Sequence, residues 1–162
     1  MRIGVVSDTH NNLRNVGKIV ELLNGAGVAR VVHTGDITQA KTLDALAGLA
    51  APLIGVFGNN DCGERESLER AIATHGFHFE EPPLECTWHG RRIVVVHDPR
   101  DLEDLPHTHH DLALHGHTHL YRLTRTAGRL EFNPGECAGH LAGYNAVGVV
   151  DLETMETELL RF

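Results

Sequence analysis

The chain has 162 residues, of which 41% are hydrophobic, and this favours a single domain over residues 1–162 with a substantial core. The formal net charge of −8 argues against a broad surface for long nucleic acids. The sequence has no apolar run that would span a membrane, no signal peptide and three dispersed cysteines, so we expect a cytoplasmic protein with free thiols and no membrane partner.

The first half of the chain alternates short apolar strands with helices. Strands are predicted at Ile3–Val6, Ala29–His33 and Leu53–Phe57, and helices at Asn11–Ala26, Thr38–Ala50 and Glu64–His75. Strands joined by helices in this way run parallel in one sheet, because a parallel pair needs a long crossover. Their carboxyl ends then share one edge, which is where open α/β sheets usually bind ligands.

From Phe77 onward the pattern changes to short strands separated by tight turns. A hairpin about His89-Gly90 is predicted to pair Leu84–Trp88 with Arg91–His97. Further strands are predicted at Leu112–Leu114, Leu120–Thr124, Arg129–Phe132, Tyr144–Asp151 and Glu156–Phe162. We expect mainly antiparallel pairing in this half, and therefore a second sheet that packs face to face on the first, with helices outside.

Five polar motifs follow apolar strands and carry side chains that can bind metal. They are Ser7-Asp8-Thr9-His10, Thr34-Gly35-Asp36, Gly58-Asn59-Asn60-Asp61, Val96-His97-Asp98 and Gly116-His117-Thr118-His119. Imidazole, carboxylate and amide ligands without thiolate suit Mn, Fe, Ni, Co or Zn ions rather than a closed structural zinc site. Together the motifs predict a site for two metal ions, which suits the hydrolysis of a phosphate ester.

The spacing within the motifs suggests how the ligands converge. Side chains two residues apart on extended backbone point the same way, so Asp8 and His10 should reach one ion, and His117 and His119 should share a face. Asp36 follows a glycine that permits a sharp turn, and its two oxygens can bridge two cations.

Each motif also has an ordinary explanation when it is taken alone. Asp8 and His10 can belong to the N-terminal cap of a helix, and Asp36 and Asn59 can be turn residues. The histidines near His117 can form a solvated, histidine-rich loop, which is how we interpret His107, His109 and His110. We expect His33 and His115 to point away from the site and to be structural. At most, they would contact a residue that binds the metal.

The five motifs in this order resemble the calcineurin-like metallophosphoesterase superfamily, whose pattern is D-x-H, G-D, G-N-x-D/E, H and G-H-x-H. The chain is most similar to the short bacterial and archaeal branch of phosphodiesterase-like proteins, which also contains the metallophosphoesterase-like scaffold subunit of retromer. The resemblance runs from Ile3 to about Gly135, where Asn133-Pro134-Gly135 looks like the usual N-P-G of this branch.

The resemblance implies a fold, a ligand set and an activity. The fold is an α/β four-layer α/β/β/α sandwich of two mixed sheets flanked by helices. One ion would be held by Asp8, His10 and His119, the other by Asn59, His97 and His117, with Asp36 as the bridge. The implied activity is a phosphodiesterase with two divalent ions, manganese being the first candidate and Ni, Fe, Co or Zn the alternatives. A hydroxide held between the ions would attack a small phosphodiester, with Asp36, Asn59 and His117 in the catalytic set.

The sequence departs from the superfamily pattern at three positions. Many active members have a histidine where this chain has Asn60, and an amide cannot protonate a leaving group. Asp98 replaces a usual glycine and is expected to cap the next turn or to accept a hydrogen bond from a ligand imidazole. Glu136 replaces a usual small residue, and no effect follows from the sequence.

Two alternatives to the phosphodiesterase stay open at this point. The first is a binding scaffold with negligible turnover, which would need a protein partner and an exposed apolar patch. The second is a phosphomonoesterase. Arg14, Arg65 and Arg100 follow ligand motifs and either meet substrate phosphate or lie on exposed faces, the commoner case. The sequence leaves the oligomeric state open.

Overall fold

The computed structural model describes residues 1–106, 109–126 and 128–162 and contains two mixed β-sheets. The strands are β1 Arg2–Val6, β2 Arg30–His33, β3 Leu53–Val56, β4 His78–Glu80, β5 Leu84–Trp88, β6 Arg91–Val95, β7 Leu112–Leu114, β8 Arg122–Thr126, β9 Arg129–Asn133, β10 Ala146–Asp151 and β11 Glu156–Arg161. The α-helices are α1 Leu13–Ala26, α2 Ala40–Leu46 and α3 Arg65–His75, and 3₁₀ segments cover Asn59–Glu64 and Pro99–Leu102.

The first sheet has the strand order β11-β10-β1-β2-β3-β4. Strands β1 to β4 are parallel, and β10 and β11 extend the sheet by antiparallel pairing. Helix α1 crosses over between β1 and β2. It begins after Asn12, whose side chain accepts a hydrogen bond from the backbone N–H of Asn15, and it ends at Gly27 in the left-handed conformation. The predicted parallel sheet is therefore confirmed.

The second sheet has the order β5-β6-β7-β9-β8, and it packs on the first through a shared apolar core. Strand β1 contributes Ile3 and Val5 to this core, and the second sheet contributes Ile93, Leu112 and Leu130, all fully buried. Each buried aliphatic side chain of this size stabilises the fold by about 1.5–3 kcal/mol. A separate core holds the helices on the outer face of the first sheet.

The outer face of the second sheet has a much thinner cover. The 3₁₀ segment Pro99–Leu102 places Leu102 against Val94, Val96 and Ala113. The four-layer α/β/β/α order is present, with this short segment as the last layer. No helix in the described part of the chain has the length and apolar character that crossing a membrane requires.

The expected antiparallel pairing of the second half was only partly right. The β5–β6 and β8–β9 pairs are antiparallel, but β6, β7 and β9 are parallel neighbours. The described residues of the β6-to-β7 crossover, 96–106 and 109–111, contain no α-helix, so the periodicity does not reveal it. Strand β4, which is three residues long and mostly exposed, was not predicted.

Candidate metal centre

The five polar motifs converge at the carboxyl ends of strands from both sheets. Asp8, Asp36 and Asn59 follow β1, β2 and β3 of the first sheet. His97 follows β6, and His117 follows β7 of the second sheet. The site therefore spans the top of the sandwich, and the packing of the two sheets sets the distance between its halves.

Four side chains form a first group, with one ligand atom of each within 4.8 Å of the others: Asp8, His10, Asp36 and His119. His10 Nε2 lies 3.2 Å from Asp36 Oδ2, and His119 Nε2 lies 3.6 Å from Asp8 Oδ1. The Asp8 and Asp36 side chains are buried, whereas the two imidazoles are partly exposed at the opening of the site.

Three further side chains form a second group. Asn59 Oδ1 lies 2.9 Å from His97 Nε2 and 3.0 Å from His117 Nδ1. The two imidazole nitrogens are 3.2 Å apart. His97 is held by its other nitrogen, because Nδ1 donates to the carbonyl of Thr34 at 2.9 Å and leaves Nε2 directed at the group.

Asp36 lies between the two groups and faces both. Its Oδ2 is 3.2 Å from His10 Nε2, and its Oδ1 is 3.5 Å from His97 Nε2. Asn60 holds the carboxylate in this orientation, since its backbone N–H donates to Oδ1 at 2.9 Å and its side-chain amide donates to Oδ2 at 2.7 Å. All seven residues proposed as metal ligands from the sequence thus lie together.

The backbone at the site differs from the extended conformation that we expected. Asp8, His10, His117 and His119 have φ values of 49°, 39°, 66° and 58°, in the left-handed region, and Asp36 is at 59°. The side chains therefore converge through tight turns rather than by strand alternation, so that argument was wrong although the residues meet. Left-handed backbone costs free energy in non-glycine residues and is concentrated at functional sites.

Close backbone approach at two glycines lets these turns meet. A Cβ added to Gly58 would lie 3.0 Å from Asp36 Cγ, and one added to Gly116 would lie 2.8 Å from Asp8 Oδ2. The space is needed because the backbone N–H of His117 donates to Asp8 Oδ2 at 3.1 Å. A side chain at Gly58 would displace Asp36, and one at Gly116 would push the two halves of the site apart.

The electrostatics of these side chains fit cation ligands. Burial opposes ionisation of Asp36, but the nearby His10 imidazole and the hydrogen bonds from Asn60 outweigh it and lower its pKa. The Asp36 carboxylate beside His10 raises the pKa of that imidazole. Burial raises the pKa of Asp8, which means that its negative charge lacks full compensation. His10 Nε2 is buried and has no partner with hydrogen-bond geometry in the described structure, as expected for a metal ligand.

Asp61 is a site residue to which the sequence assigned no role. Its buried carboxylate accepts three backbone N–H groups, from Asp36 at 3.1 Å, Thr38 at 2.7 Å and Gly58 at 2.7 Å. It therefore joins the turns that carry Asp36 and Asn59. The motif Gly58-Asn59-Asn60-Asp61 contained it, but a sequence does not show which backbone groups a carboxylate will meet.

Glu136 is a second residue that the sequence left without a role. It is fully buried, and its Oε2 lies 2.8 Å from His119 Nδ1. The residue is far in sequence from the ligand that it contacts, so only the packing of β9 beside β7 reveals the pair.

The other expectations about single residues have mixed outcomes. The cap of α1 is Asn12, so neither Asp8 nor His10 serves as the cap residue. Asp98 does cap the 3₁₀ segment, accepting from Arg100 N at 2.9 Å, and its Oδ2 also lies 3.6 Å from His117 Nε2.

The prediction of a solvated histidine loop was wrong for His110. This residue is 7% exposed, and its Nε2 lies 2.9 Å from Glu85 Oε1, because the chain turns back there to enter β7. His109 is exposed, and His107 lies outside the described residues. His33 and His115, which we expected to be structural, are fully buried.

The three arginines differ in their partners. Arg65 contacts Glu69 and Glu81, and Arg100 contacts Asp98. Arg14 lines a surface cavity together with Lys18. Two of the three thus contact carboxylates, and Arg100 also lines the cavity beside His117.

A cavity of about 490 Å³ opens beside the second group. Its wall includes Asn59, His97 and His117, together with Phe57 and Asp98. This volume is large enough for a small organic phosphate.

Comparisons with known proteins agree with this geometry. The family model of the calcineurin-like phosphoesterase superfamily domain matches residues 1–155. Phosphodiesterase MJ0936 of Methanocaldococcus jannaschii is 31% identical, and the match covers 96% of each chain. The solved structure of an archaeal phosphodiesterase superposes with a TM-score of 0.91 at 28% identity over 100% of each chain. Vps29 of Entamoeba histolytica, complexed with Zn²⁺, shares the fold, with a TM-score of 0.67 at 16% identity over 100% of this chain and 98% of that chain. The chain therefore belongs to the calcineurin-like phosphoesterase superfamily.

Proposed function

We propose that the protein is a phosphodiesterase that uses two divalent metal ions. One observation carries the proposal: the two oxygens of Asp36 face two separate groups of nitrogen and oxygen ligands, at 3.2 Å and 3.5 Å. Asp8, His10 and His119 would hold one ion with Asp36. The other would be held by Asn59, His97 and His117 together with the second oxygen of Asp36. The mixed donors favour Mn²⁺, with Ni, Fe, Co or Zn as alternatives.

Two bound cations would polarise the phosphoryl group and acidify a water molecule. The protein side chains keep these ligands in place. Asn60 fixes both oxygens of Asp36, and Asp61 fixes the backbone of the turns on either side. Because the ligand atoms are set before substrate arrives, little reorganisation is needed during the reaction.

The second group also faces the substrate cavity. Asn59 is exposed and the His117 side chain is 36% exposed, and both line the 490 Å³ cavity. His117 directs Nδ1 into the group, so an Nε2 proton is available for a hydrogen bond to Asp98 or to a phosphate oxygen. These residues would orient the phosphate, which is why they belong to the proposed catalytic set with Asp36.

The proposed substrate preference rests on Asn60, whose amide cannot act as the general acid. Asn60 occupies the position of a possible proton donor, and its amide is engaged with Asp36. A general acid is typically worth about 10²–10⁴-fold in rate. We therefore propose a small diester whose leaving group departs without protonation. The archaeal relative that is named a phosphodiesterase supports a diester over a monoester.

The deciding experiment is hydrolysis by metal-stripped protein with and without Mn²⁺. Bis(p-nitrophenyl) phosphate is the diester and p-nitrophenyl phosphate the matched monoester. We expect turnover that returns with Mn²⁺ and is faster on the diester. A faster monoester reaction would make the protein a phosphomonoesterase.

A binding scaffold is the second candidate, and one surface favours it. Tyr121 and Tyr144 are 50% and 61% exposed, and the backbones of both lie beside Gly135, next to the His119 side of the site. Exposed aromatic residues are common on interaction surfaces. If Mn²⁺, Ni²⁺ and Co²⁺ bind but support no hydrolysis, the scaffold becomes the better hypothesis and a protein partner should be sought.

A further inference from the structure

We propose that Glu136 is a positioning residue that fixes the ring orientation and tautomer of His119 for metal binding. The proposal rests on the function proposed above, in which His119 is a metal ligand. Glu136 would not touch substrate or metal itself.

The geometry of Glu136 is that of an anchored hydrogen-bond acceptor. The residue is fully buried, and its Oε2 lies 2.8 Å from His119 Nδ1. Its other oxygen, Oε1, accepts from the backbone N–H of Leu141, and its own carbonyl accepts from Ala146 N at 3.1 Å. With both oxygens and the backbone engaged, the carboxylate cannot turn away from His119.

The contact decides which nitrogen of His119 is free. A carboxylate accepts a hydrogen bond, so the proton of the ring must be on Nδ1, and Nε2 keeps its lone pair. Nε2 is the atom that points to the first group, 3.6 Å from Asp8 Oδ1. A carboxylate behind an imidazole also makes the ligand more basic, and such partners are typically worth about 10–100-fold in metal affinity.

A third cation held by His119, Glu136 and His140 is a weaker explanation of the same atoms. One ligand atom of each lies within 4.8 Å of the others. That cation would need Nδ1 of His119, while Nε2 already faces Asp8, so the ring would have to lose both of its protons. The 2.8 Å contact instead has the length of a hydrogen bond from Nδ1–H to a carboxylate.

Glu136→Gln tests the proposal with little change in shape. An amide cannot accept from both His119 Nδ1 and Leu141 N, and if its NH₂ faces His119 it favours the wrong tautomer. Glu85→Gln is the matched control, because Glu85 contacts His110 at 2.9 Å outside the site. Mn²⁺ titration of the stripped proteins by calorimetry should show one of two ions weakened about 10–100-fold in Glu136→Gln and neither in Glu85→Gln. Both affinities within threefold of the parent would overturn the proposal.

A measurement on the parent protein covers the case in which Glu136→Gln does not fold. In the Zn²⁺-loaded protein, nitrogen-15 NMR of the histidine side chains should show His119 with a proton on Nδ1 and metal on Nε2. A proton on Nε2 would overturn the proposal without any variant.

His119→Ala distinguishes a failure of the positioning role of Glu136 from a failure of the proposed metal site. If it loses one ion while Glu136→Gln keeps both, the positioning role of Glu136 is wrong and the metal site stands. If His119→Ala keeps both ions at parental affinity, His119 is not a ligand. The assignment of the first ion then fails, and the role of Glu136 fails with it.

Discussion

Asp36→Asn is the substitution that tests the proposed bridge most directly. The two side chains have nearly the same shape, but the variant has no negative charge and only one oxygen. Asn60 decides the orientation of the new amide, because its backbone N–H donates to the Oδ1 position and cannot be turned. The carbonyl oxygen should therefore occupy that position, on the His97 side, and the NH₂ should replace Oδ2, which faces His10.

The expected effect is therefore unequal for the two ions. The ion near His97 keeps an oxygen ligand and loses only the charge. The ion near His10 loses the ligand atom as well. A carboxylate and a divalent ion 4 Å apart attract each other by about 8 kcal/mol at an effective dielectric constant near 20. Desolvation of the ion and relief of the repulsion from Asp8 offset most of this, so we expect about 3 kcal/mol, or roughly a hundredfold in affinity, at the His10 side.

Calorimetric titration of stripped protein with Mn²⁺ measures both affinities, and bis(p-nitrophenyl) phosphate measures turnover. Turnover should fall at least about a hundredfold at fixed Mn²⁺, in line with the lost affinity. Asp44→Asn is the control, since Asp44 contacts His75 on the helical side of the protein. If Asp36→Asn keeps both ions within threefold and more than a third of the rate, the bridging role of Asp36 is refuted.

Three further predictions concern the stability of the metal-free protein. Burial lowers the pKa of His33 to about 3, from an ordinary value of 6.5 in the unfolded chain. Below pH 6.5 protons therefore bind the unfolded chain more readily than the folded protein, and the free energy of unfolding falls as the pH falls. Between pH 7 and pH 5 the free energy of unfolding, measured in urea, should fall on the order of 2 kcal/mol further in the parent than in His33→Asn. Equal decreases in the two proteins would contradict this prediction. Asp61→Ala leaves three backbone N–H groups without their acceptor and should lower the free energy of unfolding by about 3–5 kcal/mol. The control Asp44→Ala, at an exposed position, should lower it by less than about 1 kcal/mol. A loss below about 1 kcal/mol for Asp61→Ala would show that water replaces the carboxylate. Burial raises the pKa of Asp8 above 3.8, so the charge of this carboxylate destabilises the folded protein above that pH. Asp8→Asn should therefore raise the Tm of metal-free protein by about 2–4 °C, and it should remove the increase in Tm that added Mn²⁺ causes. A lower metal-free Tm in thermal denaturation would show that the Asp8 charge is compensated.

The fold was predictable where local patterns carry the information. The helical spacing of Val16, Ile19 and Leu23 and the apolar strands on either side of α1 predicted the parallel half of the first sheet, which the structure confirms. The parallel neighbours of the second sheet were missed because the described residues between β6 and β7 contain no α-helix that a helical spacing could have revealed. The single-domain organisation and the cytoplasmic location stay predictions from composition.

The membership of the candidate site was predictable from the motifs, but its geometry was not. Each motif ends a strand, and strand ends of packed sheets meet, so the seven proposed ligands lie together. The left-handed backbone at Asp8 and His117 was missed because neither residue type demands it. The supporting contacts were missed for a different reason. Glu136 contacts His119 across 17 positions of sequence, and only the tertiary structure shows this.

The supporting residues explain how the chain holds a strained and highly charged set of ligands in place. Five ligand residues have left-handed backbone, and two buried carboxylates, Asp8 and Asp36, lie in the same group. Both features cost free energy, and the fold must offset them with contacts that do not depend on metal. Asp61 supplies three hydrogen bonds to the turns, and Asn60 supplies two to Asp36. These contacts make the ligand positions a property of the protein itself, so metal affinity should depend on Asp61 and Asn60 as well as on the ligands.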